Sequence, residues 1–256
     1  MKFKVQNIQR LLSFLFFLTV TSNCFSQCID ISKIEFGGDY DFYEYIFGCP
    51  TYSFAVHGDT SKNWNVLNNA IDIKQAPKKA LTYRNLVEKK IKQYSGLSFF
   101  TDLKFIDVEV VYPEKYNLFK GRTDVTQRYC KAKYFYHYQF QPDTVASYLI
   151  GIAVNEKGKI ISPFKFPSKK DYKQIDKSFT YCKLLDIARN IQKDIDPIGK
   201  ICFEYNEVGK RFYWLISQDL DSEKTHEGLN YFNQVIIDAS DFSKVKTVKG
   251  EAHIIY

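Results

Sequence analysis

Two stretches of this chain repeat one another at a fixed offset. Thr82-Tyr83 followed by Leu86-Val87-Glu88 returns ninety-eight positions later as Thr180-Tyr181 followed by Leu184-Leu185-Asp186. The same offset, without a gap, carries Leu103 and Phe105 onto Ile201 and Phe203. Self-similarity at a fixed period marks one folding unit used twice, which limits the folds open to the chain. In the first copy Tyr83, Leu86, Val87, Ile91 and Tyr94 recur at the three-four spacing of an amphipathic helix. In the second, Tyr181, Leu184, Leu185, Ala188, Ile191 and Ile195 do the same. Thr82 is expected to cap the first helix and Ser95-Gly96 to end it, since glycine accepts a left-handed backbone. Asp196-Pro197 and Gly199 are expected to stop the second.

Each helix is followed by period-two segments. Leu103–Tyr112, Lys131–Phe140 and Ser147–Val154 read as strands in the first copy, with a turn at Asn155–Gly158 and a return through Lys159-Ile160-Ile161. Lys200–Tyr205, Arg211–Gln218, Asn233–Asp238 and Lys244–Val248 read so in the second, with Ala252–Tyr256 as a further edge strand. The expected class is α+β: two tandem units, each with one helix on an antiparallel sheet. Their bounds are 80–166 and 178–256, joined by a Lys- and Pro-rich linker, Phe164–Lys177. Residues 27–79 form an irregular N-terminal extension, with a short strand or two, one of them at Tyr52–Val56, among turns at Gly37-Gly38, Gly48, Pro50 and Gly58, and a short helix at Trp64–Ile73.

Residues 1–26 read as a signal peptide: Lys2, Lys4 and Arg10, then the apolar run Leu11–Val20, then small residues before Gln27. That run is shorter than the roughly 20 residues that span a bilayer. An uncleaved anchor is the less favoured alternative; no later stretch is apolar enough to span a membrane, so after cleavage no span is expected, and the protein is expected in the periplasm or outside the cell. A lipid anchor at Cys24 is disfavoured by Asn23 before it. With Lys2, Lys4 and Arg10 removed, the formal charge of +7 falls to +4, dispersed along the chain, so nucleic acid is not an expected partner. Of the cysteines left, Cys28–Cys49 and Cys182–Cys202 are the expected disulfides and Cys130 the odd one, with buried free thiols as the alternative. There is no C-x-x-C, and His57, His137, His226 and His253 lack ligand spacing, so neither a metal nor a cofactor is expected.

The segment Gln234-Val235-Ile236-Ile237-Asp238-Ala239-Ser240, closing in Ser243-Lys244-Val245, resembles the end of a PepSY-type repeat. In that family a strand enters an Asp-Ala-x turn and then a Gly-Lys-Val step. Here Ser243 stands at the glycine, and the first unit has Gly158-Lys159-Ile160 with Asn155 in place of the aspartate. The helix ahead of the strands and the aromatic strand Phe212-Tyr213-Trp214-Leu215-Ile216 add to the likeness, over roughly 80–166 and 178–250. The resemblance implies cystatin-like, exported, non-catalytic units, in several settings associated with secreted peptidases as propeptides or inhibitors. Val154–Ile160 also resembles part of a TonB-type C-terminal domain.

Little else points to chemistry. Asp219, Asp221 and Glu223 have the alternation of a calcium loop, but Lys224 and Asn230 stand where it requires glycine and glutamate. His137 lies among strand tyrosines with no nucleophile placed beside it, and no Gly-x-Ser-x-Gly or Walker pattern occurs. The expected function is therefore binding of a protein partner or envelope component. A glycan or small-ligand binder using an aromatic sheet face is the alternative, and a hydrolase a third. The aromatic rows on these strands either pack beneath the helices or form exposed binding surface; on the second reading the candidate binding residues are Arg211, Tyr213, Trp214, Tyr134, Tyr136 and Tyr138, of which Arg211 and Tyr213 are the ones expected to be exposed.

Overall fold

A computed structural model describes residues 28–39, 42–58, 70–123, 125–126, 129–142, 147–219 and 229–253. The leader, most of the Trp64–Ile73 segment, Asp221, Glu223 and the last three residues lie outside that set. The strands are β1 Ile34–Asp39, β2 Thr51–Ala55, β3 Ile71–Asp72, β4 Leu103–Val111, β5 Tyr134–Phe140, β6 Tyr148–Val154, β7 Ile198–Asn206, β8 Arg211–Gln218, β9 Leu229–Asp238 and β10 Val245–His253. The α-helices are α1 Phe42–Tyr45, α2 Lys78–Thr101, α3 Tyr116–Phe119 and α4 Tyr181–Ile191. The α+β class therefore holds. No described helix is long and apolar enough to cross a membrane.

The strands join in the order β10-β9-β8-β7-β1-β6-β5-β4-β2-β3. Its centre is β1, which runs parallel to both neighbours: Ile34–Phe36 pair with Ile201–Phe203 of β7, and Gly37–Asp39 with Tyr148–Ile150 of β6. Gly37-Gly38, expected as a turn, thus lies in the middle of the sheet. A Cβ on Gly37 would lie 1.9 Å from the Phe203 carbonyl oxygen, so only glycine permits this approach of two backbones.

Helix-then-strand order occurs on both sides of β1, but the repeated threonines do not occupy equivalent positions. Thr180 caps α4, its side chain accepting from the Lys183 amide. Thr82 lies inside α2, and its hydroxyl donates to the Lys78 carbonyl. The helix begins earlier because Pro77 presets its entry and Lys78-Lys79-Ala80 propagate it. Gly96 leaves helical geometry as expected, at φ 83°, yet helix resumes beyond it to Thr101.

Both long helices lie on one face of the sheet. Val87, Ile91 and Phe99 of α2 and Leu184, Leu185 and Ala188 of α4 are buried in one core with the inward residues of β4 to β9. Leu86 and Tyr94, counted on the apolar face from sequence, remain partly exposed. An aromatic series crosses the middle: Phe99 stacks on Phe140 at 4.5 Å, Phe140 on Phe212 at 4.8 Å, and Phe212 on Phe203 at 5.0 Å. The segment expected as a linker joins this core through Phe166 and Ile175, both buried, and through backbone bonds from Lys169 to Tyr94 and from Asp176 to Ala239.

The disulfides are Cys28–Cys182 and Cys49–Cys130, which corrects both expected pairings. Cys202 is the free thiol. The reason is strand parity. Ile201 and Phe203 point into the core beneath α4, so Cys202 points to the opposite face, away from Cys182 on the helix. Central placement of β1 brings Cys28 to the first turn of α4 instead. Cys49–Cys130 links the approaches to β2 and β5, beside a small second core of Tyr45, Ile46, Val111, Phe135 and Ala153 on the far side of the sheet.

Candidate binding face

Alternation along the strands decides which candidate residues can reach a partner. Tyr134, Tyr136, Tyr138 and Trp214 lie on the helix side and are at most 4% exposed. They are core, not binding surface. The correction has a plain cause: a clean aromatic row on a strand looks the same whether a helix or solvent covers it. Tyr136 donates its hydroxyl to the Ala80 carbonyl, and Trp214 packs on Phe179 at 4.7 Å and Phe203 at 5.0 Å.

Arg211 and Tyr213 occupy the other parity of β8 and lie on the side that α4 does not cover. There the second core under α1 covers part of β4 to β6, and no described helix packs on β7 to β10. Half-buried Leu215 and Ile236 continue that surface. Arg211, Tyr213, Ile236, Lys244 and Lys246 line a shallow open depression across β8, β9 and β10. Cations, a phenol and an aliphatic side chain at one place suit a protein surface of mixed polarity. Sequence reasoning missed Ile236, Lys244 and Lys246. Ile236 was legible as the outward residue between Val235 and Ile237.

Asp238 fixes one wall. It is buried, accepts from Arg211 Nη1 at 3.0 Å, and takes the Ser240 amide and hydroxyl at 2.8 and 2.6 Å. The aspartate thus folds the turn out of β9 and orients the Arg211 guanidinium.

A second polar cluster lies on the same side of β4 and β5. His137 Nδ1 is 2.5 Å from Asp107 Oδ1, and Nε2 is 3.9 Å from Glu109 Oε1. Asp107 and Glu109, at alternate positions of a strand that is otherwise apolar from Phe105 to Val111, were its legible signal. Burial opposes the imidazolium, but the Asp107 hydrogen bond and the two carboxylate charges outweigh it and raise the His137 pKa. Burial raises Glu109 as well, against the His137 charge. The Ser53 hydroxyl donates to Asp107 at 3.2 Å. It is therefore bonded to the carboxylate, whereas a hydrolytic triad has its hydroxyl on the imidazole.

Cys202 is no better placed for catalysis. Burial, then the nearby Glu204 carboxylate, pushes its thiol up to about 12, so the nucleophilic thiolate is scarce near neutrality. Among the described residues, no cluster of His, Cys, Asp and Glu could hold a metal. Asp219 of the sequence's calcium-like loop is 3.8 Å from Lys33. No family model, curated protein or solved structure matches the chain.

Proposed function

We propose that this is an exported, non-catalytic protein that holds a protein partner against the uncovered face of β7 to β10, around Arg211 and Tyr213. The observation that carries the reading is the placement of both long helices on one side, which among the described residues leaves the other without a helix over the Arg211–Tyr213 depression. Export is supported by the apolar leader and by two disulfides, which persist in oxidising compartments. A non-catalytic role is supported by the Ser53 hydroxyl bonded to Asp107 and by the suppressed thiolate of Cys202. A PepSY-like origin belongs to the same proposal. The Asp238 turn supports it, and a secreted peptidase is then the partner of choice.

The test is capture from the envelope fraction and medium of the protein's own host. Purified protein should retain a partner, and Tyr213→Ala should lose it while keeping the wild-type unfolding midpoint. A partner held equally well by Tyr213→Ala overturns the assignment of this face. Trp214, buried under α4, should show no fluorescence change with sugars.

A further inference from the structure

β10 closes one end of the sheet, and nothing among the described residues pairs with its outer side. The Asp238 amide donates to the Lys244 carbonyl, and the β9–β10 register is unbroken from there to His253. In an antiparallel ladder such bonds recur at every second pair. Lys246, Val248, Gly250 and Ala252 therefore bond to β9, and the amides and carbonyls of Val245, Thr247, Lys249 and Glu251 face outward. Proteins blunt such edges by shortness, by proline or by a bulge. The opposite edge, β3, has only two residues, whereas β10 has nine, without proline and without a break in register.

Strand parity sorts the side chains of this edge. Val245 pairs with buried Ile237, so Val245, Thr247, Lys249 and Glu251 take the side on which the helices lie, and Lys246, Val248 and Gly250 take the open side. Lys249 and Glu251 are thus neighbours on one side, both exposed, and neither makes an ion pair among the described residues. Lys244, by contrast, is paired with Asp241 at 2.8 Å.

A strand that reads Lys-Gly-Glu is complementary to itself when run antiparallel. With Gly250 opposite Gly250 of a second copy, Lys249 of each chain faces Glu251 of the other, once on either side of a two-fold axis. Both residues direct their amides and carbonyls outward, so the same pairs carry the backbone bonds. Moving the axis to Lys249 or to Glu251 sets like charges opposite one another, which destabilises pairing. Moving it to Val248 sets Lys249 against Thr247 and Glu251 against Val245, with no charge opposed. The axis position carries a second, independent mark. A Cβ on Gly250 would lie 2.3 Å from the Phe232 ring, so that ring lies across the Gly250 backbone on the open side. Pairing about Gly250 brings the two Phe232 rings to either side of the axis, next to Val248, itself 40% exposed. We propose that the protein forms a two-fold dimer through β10, its occupant a second copy added edge to edge about Gly250 to make one continuous sheet. Each surface is its own complement, as a closed two-fold interface requires. The dimer does not depend on the partner-binding face. It sets the two Arg211–Tyr213 depressions on the same side of the joined sheet, where one bivalent partner can engage both.

The test is sedimentation equilibrium of the exported protein at low ionic strength. The wild type should sediment as a dimer that dissociates on dilution and on addition of salt. Lys249→Glu sets a carboxylate opposite Glu251, and Glu251→Lys sets an ammonium opposite Lys249. Each alone should weaken self-association at least about tenfold. An equimolar mixture of the two variants should associate, because each supplies the charge that the other lacks. Lys249→Glu with Glu251→Lys in one chain should restore the wild-type dimer. A variant that had failed to fold would do neither. Thr247→Pro removes an outward amide and leaves the ladder to β9 intact, so it should weaken the dimer about tenfold. Amide exchange at Lys249 and Glu251 should slow as the concentration rises. A wild type that is monomeric at about 0.1 mM overturns the proposal. So does a dimer that Lys249→Glu and Thr247→Pro leave at full strength. So does a mixture of the two charge variants that stays monomeric although both keep the wild-type unfolding midpoint. Tyr213→Ala should leave the dimer unchanged, so the edge and the partner-binding face stand or fall separately.

Discussion

Among single residues, the sharpest consequence concerns His137. Its pKa is raised above the ordinary 6.5 by Asp107 and Glu109 despite burial. A group whose folded pKa lies above its unfolded value stabilises the fold fully below the unfolded value and loses that contribution as pH rises through the folded one. Glu109, raised above 4.5, acts with the same sign in a more acidic window. The unfolding midpoint should therefore fall as pH increases from about 6.5. His137→Gln should flatten that slope, as a thermal melt series across neutral pH would show. A wild-type slope retained in the variant assigns the effect elsewhere. Cys202 illustrates the opposite extreme, a titratable group whose burial keeps it silent near neutrality.

Among the strands and helices, β1 is the critical piece. Gly37→Ala places a methyl group against the Phe203 carbonyl, backbone that no rotamer change can move. It should cost about 3 kcal/mol or more, read from the urea midpoint. An unchanged midpoint would show that β1 does not hold the centre of the sheet. This strand also marks where the sequence stopped being legible. β4 to β10 were visible because their side chains alternate between a covered and an uncovered face, and α4 because its apolar residues recur on one side. Central β1 ends in Gly-Gly-Asp, and glycines that read as a turn are here the means of close packing. The Phe164–Lys177 segment misled in the same way, since its lysines suggest solvent while Phe166 and Ile175 are buried. The candidate face was half legible. Arg211 and Tyr213 could be assigned to the parity opposite Trp214, but which parity the helices cover is decided only by the tertiary packing.

Across the molecule, the disulfides join parts far apart in sequence. Cys28 and Cys182 are separated by 154 residues, and Cys49 and Cys130 by 81. Loops this long restrict the unfolded chain strongly, and each bridge should contribute about 4–5 kcal/mol on loop length alone. Comparing urea unfolding of the oxidised chain with the reduced and alkylated one measures this. Loss of less than about 1 kcal/mol would mean that the bridges constrain little of the unfolded ensemble. Without reductant, the one free thiol among the described residues, that of Cys202, should become reactive on unfolding.

The seat of β1 has a temporal meaning too. An early segment of the polypeptide fills a slot whose far wall, β7, is made only after most of the chain. A nascent chain that has delivered β1 through β6 still has one flank of that strand open. Closure must wait for a long-range encounter, which makes assembly slow for its size. During that interval the unfinished edge is the point at which a chaperone would have most to protect.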